Sequence, residues 1–544
     1  MIHGRGREII VRTNLRILIA VIWSSLLFAI FLSIRNLFEE PFWKPFAGFL
    51  VVFSLLAVIG CNLSKIPFPK KVRSFFDHVF SFHQHAEEVL YSHITDTFFF
   101  FLLWILLTVC YIPAYLAFFP GIFGYDTPIQ VAEYYGYIEL SSHHPLVHTF
   151  LMGAFFSLGE KLFHCAAAGF ALYTALQGIV VSASISYCLT VCKKRRIPLL
   201  CILLGAIWYV INPYLQILSM NSTKDTLFGA FLLCFGTACW DFLETRTPGR
   251  YQYILLIASG ILTCLFRNQG IYILGVLLLA CLFLRIPNKG LCLSLLACLL
   301  TSQSFFTFCS AGLGIPKGDL REMLCVPMQQ MACAAYLNET NEILTPQQLT
   351  TLLEIIPLEG IREYNVTSAD PVKAYFQTQN LFKDLGKYLK NYIEIGLQNP
   401  AAYFYSWLNM IHPYWKTTDN ECRRLALSYT FPEDNRWEIR HTPILNRYYL
   451  YLSDKLYLPE EKLYTRPELC LWLLAGFSGF AIARGKKKWF FSILPFALYL
   501  GTILLGPVAL LRYLYPLTLA TPLLFCMFFQ PPECTVRSEN AAGL

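Results

Sequence analysis

Apolar runs close to the length of a membrane-crossing helix recur along most of this chain, and nothing constrains its fold more. A helix needs roughly 20 apolar residues to cross the hydrocarbon layer, and twelve stretches approach that length: 15–34, 46–62, 97–119, 166–191, 197–218, 226–243, 253–266, 271–285, 290–309, 467–484, 489–509 and 513–530. The runs are continuous rather than alternating, which excludes an outer-membrane barrel and leaves helices as the spanning elements. With 56% hydrophobic and 14% charged residues in 544, lipid is the main solvent of the fold. The expected class is an all-α polytopic membrane protein of about twelve transmembrane helices.

Lysine and arginine sort to one side of these runs. If the N-terminus, with Arg5, Arg7, Arg12 and Arg16, is cytoplasmic, then Lys65 to Arg73, Lys193 to Arg196, Arg246 with Arg250, Arg285 with Lys289, and Lys486 to Lys488 share its side. This sorting requires that 146–160 does not span, and that segment reads as a short amphipathic helix at the outer interface. Both termini are then expected in the cytoplasm. The first run, Leu15 to Ile34, lacks a small-residue cleavage site and reads as a retained helix. The net charge of +8 is a topology signal rather than a nucleic-acid footprint, because no basic stripe with interleaved aromatics lies outside the runs. No P-loop or GxGxxG pattern marks a nucleotide site.

Most of the nineteen cysteines sit inside apolar runs and read as small buried hydrophobes. Cys325 and Cys333, in the one long polar segment, are a candidate pair on spacing alone. That segment, 310–466, carries mixed charge and helix-like stretches such as Ala374 to Leu397, and reads as a mainly helical external domain. Within it, Ala401 to Trp415 is too short to span and suits a helix at headgroup level. The expected organisation is an N-terminal two-helix hairpin with a cytoplasmic linker (1–96), a transmembrane core (97–309) with a first external loop (120–165), the external domain, and C-terminal spans with a short cytoplasmic tail (467–544).

The distinctive polar residues fall on the external side of this arrangement. Thr97 to Glu160 contains no lysine or arginine, yet holds Asp126 and then His143, His144 and His148. Ionisable groups beside a membrane-spanning run are costly and mark function by default. Asp126 follows Pro120 and Gly121 and has the chemistry of a base that removes a proton from an attacking hydroxyl; as Asp126-Thr127-Pro128 it also fits a helix N-terminus. Pro145 holds His144 extended, so two imidazoles could donate to a phosphate or simply bond backbone at the interface. The i,i+4 spacing of His144 and His148, with Asp126 or Glu133, is the minority metal reading. Lys224, Arg267 and Arg512 are either paired charges at helix ends or a clamp for a phosphate.

Pro120-Gly121, Tyr125-Asp126, Gln130, His143-His144-Pro145, Asn221 to Asp225, Phe266 to Gly270, Val326 to Gln330 and Arg512-Tyr513 together resemble an uncharacterised family of bacterial multi-pass membrane proteins. That family is in turn similar to the GT-C superfamily of lipid-linked-sugar glycosyltransferases. The first resemblance covers about 97–530 and the second mainly 97–310. It implies a GT-C-like core, a catalytic acid at Asp126 and a histidine-proline turn at His143 to Pro145. Where GT-C enzymes often carry an acidic pair, Asp126 is followed by Thr127, which weakens the case for a divalent metal. The expected site is Asp126 as base, with Tyr125, Gln130, His143, His144, Lys224, Asp225, Arg267, Asn268, Gln329 and Arg512 holding substrate, and with no required cofactor or metal. The expected partners are a polyprenyl-phosphate-linked sugar and a cell-envelope glycan, lipid or protein acceptor, in contact with membrane lipids. A lipid or polysaccharide transporter lined by the same residues is the reading from another class.

Overall fold

The computed structural model describes residues 19–25, 87–124, 126–283, 288–415, 435–457, 467–484 and 487–530, with a few positions between 47 and 54. The expected spans 15–34 and 46–62, the cluster Lys65 to Arg73, Arg285, Lys486 and Tyr125 lie wholly or mostly outside the described residues. The fold is helical, and among the described residues no strand forms beyond isolated bridges.

The first half comprises α1 (Asp96–Ala117), α2 (Asp126–Tyr134), α3 (Leu146–Phe163), α4 (Ala166–Lys194), α5 (Leu199–Ile211), α6 (Pro213–Ser219), α7 (Lys224–Glu244), α8 (Arg250–Phe266), α9 (Gly270–Phe283) and α10 (Lys289–Thr307). The polar segment folds into α11 (Cys325–Asn341), α12 (Pro346–Leu353), α13 (Leu358–Arg362), α14 (Asp370–Tyr375), α15 (Thr378–Lys383), α16 (Leu385–Gln398) and α17 (Pro400–Trp415). Then come α18 (Asn446–Tyr457), α19 (Leu469–Arg484), α20 (Lys487–Ile503) and α21 (Tyr515–Phe528).

Among the described residues five helical stretches are long and apolar enough to cross a membrane: 96–117, 166–194, 224–244, 289–312 and 511–528. A bent pair, α5 and α6, makes a sixth, while α8, α9 and most of α19 are apolar but shorter. The bend of 59° falls at Asn212-Pro213, within the run expected as one span over 197–218. Its cause is local. Asn212 caps α6 by accepting from the Tyr214 and Leu215 amides, and Pro213 cannot continue the hydrogen bonding of α5.

α7 is the axis of the bundle, buried on all sides against α4, α8, α20 and α21. Close approach there needs Gly236, where a Cβ would lie 2.4 Å from the Phe496 ring. α1 is the opposite case. Phe98, Phe101, Ile105, Leu106 and Val109 all point outward, an exposed apolar face that suits lipid and not water.

Charged groups gather at the two ends of α7, whose 21 residues span about 30 Å. At its C-terminal end Asp241 receives Lys194 at 2.8 Å and Arg195, Glu244 lies 4.0 Å from Lys488, and nearby Lys193 meets Asp96 at 2.6 Å. Lys224 and Asp225 open the other end.

Helices α11 to α17 enclose a second hydrophobic core around Met328, Leu352, Ile356, Val372 and Ile395. The stretch expected as one helix over 374–397 is three, because Asp384 accepts the Lys387 amide at 3.0 Å and starts α16 anew. α17 is a helix as expected, but Tyr403, Met410, Tyr414 and Trp415 bury it between the second core and the bundle. Cys325 and Cys333 lie eight residues apart on α11 and are both free thiols. A helix rises about 12 Å over that separation, beyond disulfide reach. The last part of the polar segment joins the bundle instead: Thr442 donates to the Phe119 carbonyl at 2.9 Å, and Tyr448 to Gln216 at 2.5 Å.

Candidate functional site

Two backbone straps bring Asp126 to the head of α7. After α1 the chain turns through Pro120 and Gly121, then Ile122 pairs in parallel with Asn221: Ile122 N donates to Met220 O at 2.9 Å and Ser222 N to Ile122 O at 3.2 Å. Gly121 has φ +142°, and a Cβ there would lie 2.3 Å from Thr174 Oγ1, so only glycine fits. Thr127 and Ser222 hydroxyls close the strap at 2.7 Å.

The result is an ion cluster built from five elements. Asp126 opens α2 and lies 3.0 Å from Lys224 and 3.6 Å from Arg512. Asp225, one residue further on α7, pairs with Arg267 and lies 3.7 Å from Arg512. Lys224 also reaches His144 Nδ1 at 3.4 Å, a contact in which the ammonium donates and the imidazole accepts. A lysine in the first turn of a helix opposes the helix dipole, and the Asp126 carboxylate offsets it.

The three cations are not equivalent. Arg267 is caged: it donates to Asp225 and to Gln269 at 3.2 Å, and its guanidinium lies 5.0 to 5.5 Å from the rings of Tyr513, Tyr499 and Phe228. Tyr499 in turn donates to the Tyr513 carbonyl at 2.7 Å. Lys224 and Asp126 are the accessible members, each with a side chain 17% exposed, against 2% for Asp225. Lys224 and Arg512 are thus the cations that share Asp126, while Arg267 secures Asp225.

Burial pushes the Asp126 carboxyl up, but Lys224, Arg512 and His144 outweigh it and hold the group well below the usual carboxylate range. His144 is pushed down to about 3 by burial and then by Lys224, so it is neutral near pH 7. His143 is lowered for the same two reasons and faces outward, its backbone against Gly318.

Other expected residues serve the frame. Gln130 is fully buried with its side-chain oxygen 2.5 Å from His148 Nδ1, and His148 Nε2 lies 2.7 Å from Tyr173. Tyr173 donates to Gln177 at 3.1 Å, whose amide holds the Ser219 and Asn221 carbonyls at 2.8 Å each. This buried chain ties α2 and α3 to the turn that carries Lys224. It also turns His148 away from His144, and Pro145 leaves His144 outside α3, so the i,i+4 metal pair does not form. Glu133 accepts from Ser141 instead. Among the described residues no group of three metal-ligating side chains converges. Asn268 donates to the Ser142 carbonyl at 3.0 Å and positions the histidine turn. Gln329 is buried on α11 and donates to the Asn365 carbonyl. Sequence reasoning did not single out Tyr499, Tyr173 or Gln177, which sit inside apolar runs with no local signal.

Fold and site together define a helical protein with several helices fit to cross a membrane and a buried ion cluster at one end of its bundle. The chain belongs to a family of unknown function, DUF6020, which matches residues 136–542 and so includes His143, His144, Lys224, Asp225, Arg267 and Arg512 but begins ten residues after Asp126. No curated protein and no solved structure matches it.

Proposed function

We propose that this protein is a GT-C-type membrane glycosyltransferase that moves a sugar from a polyprenyl-phosphate donor to an acceptor hydroxyl on the external face, with inversion. The observation that carries the reading is Asp126 shared by Lys224 and Arg512 at a partly open end of the bundle. In this mechanism the acceptor hydroxyl gives its proton to Asp126 as its oxygen attacks the anomeric carbon. The bond from that carbon to the phosphate oxygen breaks, and the phosphate leaves with the electron pair, its charge met by Lys224 and Arg512. A carboxylate held by two cations is a weak base, so phosphate binding has a second effect. By drawing Lys224 and Arg512 away from Asp126 it raises the basicity of the carboxylate when the acceptor must be deprotonated.

The reading takes no step through a metal or other cofactor. It counts the bent pair and the three shorter apolar helices as spans beside the five long ones, and with the apolar runs at 15–34, 46–62 and 489–509 this makes about twelve, with both termini cytoplasmic. A transporter would favour polar residues at mid-bundle rather than at the head of α7. The test is transfer in proteoliposomes, with full-length protein, a labelled pool of lipid-linked sugars and an extract of envelope acceptors. Wild type should transfer label and Asp126→Asn should not, while both stay folded. Undiminished transfer by the folded variant would remove Asp126 as base.

A further inference from the structure

Helix α16 carries an apolar stripe that nothing among the described residues covers. Leu385, Leu389, Ile393 and Leu397 recur every fourth residue and are 50%, 51%, 48% and 78% exposed. Four-residue spacing places them along one side over about 18 Å. The opposite side, with Tyr388, Asn391 and Ile395, is buried against the second core. A large contiguous apolar surface on a folded domain marks a contact site.

Three observations indicate what lies against it. First, the stripe is continuous with the end of the apolar bundle: Trp407 of α17 donates to the Leu504 carbonyl at 2.9 Å, just past α20, and Phe404, Tyr405 and Leu505 are exposed around that junction. Second, the seam between α16 and α17 is an open groove of about 660 Å³, mostly apolar through Ile393, Leu397, Pro400 and Phe404, with Gln330, Tyr392 and Tyr403 also in its lining. Third, Lys390, 75% exposed and loosely paired at 3.7 Å with Glu394, projects from α16, and Lys383 stands just before its start, cations that can reach lipid phosphates. Apolar residues in a row, flanked by lysine and set where apolar helices end, are the pattern of a helix lying in a bilayer interface.

We propose that α16 docks on the outer surface of the lipid leaflet, with Leu385, Leu389, Ile393 and Leu397 in the headgroup and upper acyl region and a lipid chain in the α16–α17 groove. The inference rests on the bundle crossing a membrane. α17 was the helix expected at this level, but it is mostly buried; the outer helix of the pair takes that place. Docking would also fix the height of the second core above the ion cluster, because α17 joins the two.

The test uses full-length protein in liposomes of phosphatidylcholine and phosphatidylglycerol that contain a phosphatidylcholine with a diazirine near the glycerol end of one acyl chain. After irradiation, adducts are mapped by peptide mass spectrometry. Label is expected on residues 385–404 and on the outward face of α1, and absent from the exposed Tyr336 and Leu358 on α11 and α13. Leu389→Gln with Ile393→Gln should abolish label on 385–404 while leaving that on α1 and the melting temperature in detergent unchanged, since both side chains are exposed. Label on α1 without label on 385–404 overturns the docking. Absence of label from α1 overturns the membrane reading itself. Lysine-directed cross-linking of Lys390 between copies, in place of a lipid adduct, would assign the stripe to a second copy and also overturn the proposal.

Discussion

Asp126→Asn should make the cluster bind a phosphate more tightly while destabilising the empty protein. Three cations, Lys224, Arg267 and Arg512, face two carboxylates, Asp126 and Asp225, a net charge of +1 that becomes +2 in the variant. Exposed ion pairs contribute about 0–1 kcal/mol, and breaking a fully buried one costs about 3–5 kcal/mol. With side chains 17% exposed on both Asp126 and Lys224, the expected loss lies between, near 2 kcal/mol. Binding moves the other way. A phosphate oxygen within hydrogen-bonding range of Lys224 would sit about 5 Å from the Asp126 carboxylate, where like unit charges repel by about 3 kcal/mol at an effective dielectric near 20. Removing that repulsion tightens binding by up to about a hundredfold. The assay is thermal unfolding of purified protein in detergent against a titration of farnesyl phosphate. Without ligand the variant should melt below wild type; at saturation the gap should close or reverse. If the variant binds farnesyl phosphate no more tightly and melts at the wild-type temperature, Asp126 does not compete with phosphate for Lys224 and Arg512.

Gly121→Ala should lose about 2 kcal/mol or more, seen as a lower melting temperature, because the added Cβ meets Thr174 Oγ1 at 2.3 Å in a backbone conformation that alanine resists; an unchanged melt would show that the strap can shift. Acidification should destabilise the fold below about pH 6.5. His144 and His148 are both held to about 3, so between these values the unfolded chain binds protons that the folded chain does not, at about 1.4 kcal/mol per pH unit for each histidine. Asp126 adds to this at lower pH, since its depressed carboxyl stabilises above the unfolded value and loses that contribution as pH falls through the folded one. Melting of His144→Asn should depend less on pH between 7 and 5 than that of wild type, and an identical dependence would refute the assignment. Finally, in a background without reactive cysteines, Tyr137→Cys should react with an impermeant thiol reagent in intact cells and Arg195→Cys should not; the reverse pattern inverts the topology.

Apolar runs and their polar boundaries were legible in the sequence because helix length and burial in lipid are set locally. Accordingly α1, α4, α7, α10 and α21 begin and end within a few residues of the expected runs. The Asn212-Pro213 break was not legible from apolar length, which makes 197–218 one span, although its cause, a capping asparagine before proline, acts within one turn. Asp126, Lys224, Arg267 and Arg512 stood out individually as charges misplaced beside apolar runs. Their partnership did not, because it depends on the Ile122–Asn221 pairing and on three helix ends meeting at α7, contacts between residues about 100 to nearly 400 positions apart. Only the tertiary structure separates caged Arg267 from accessible Lys224, and only it buries α17 while leaving the apolar stripe of α16 exposed, because burial depends on what packs opposite. Gln329 is buried and bonded to the Asn365 carbonyl, a partner 36 positions away that its neighbours in sequence do not reveal, because a residue's neighbours in space are set by how the helices pack.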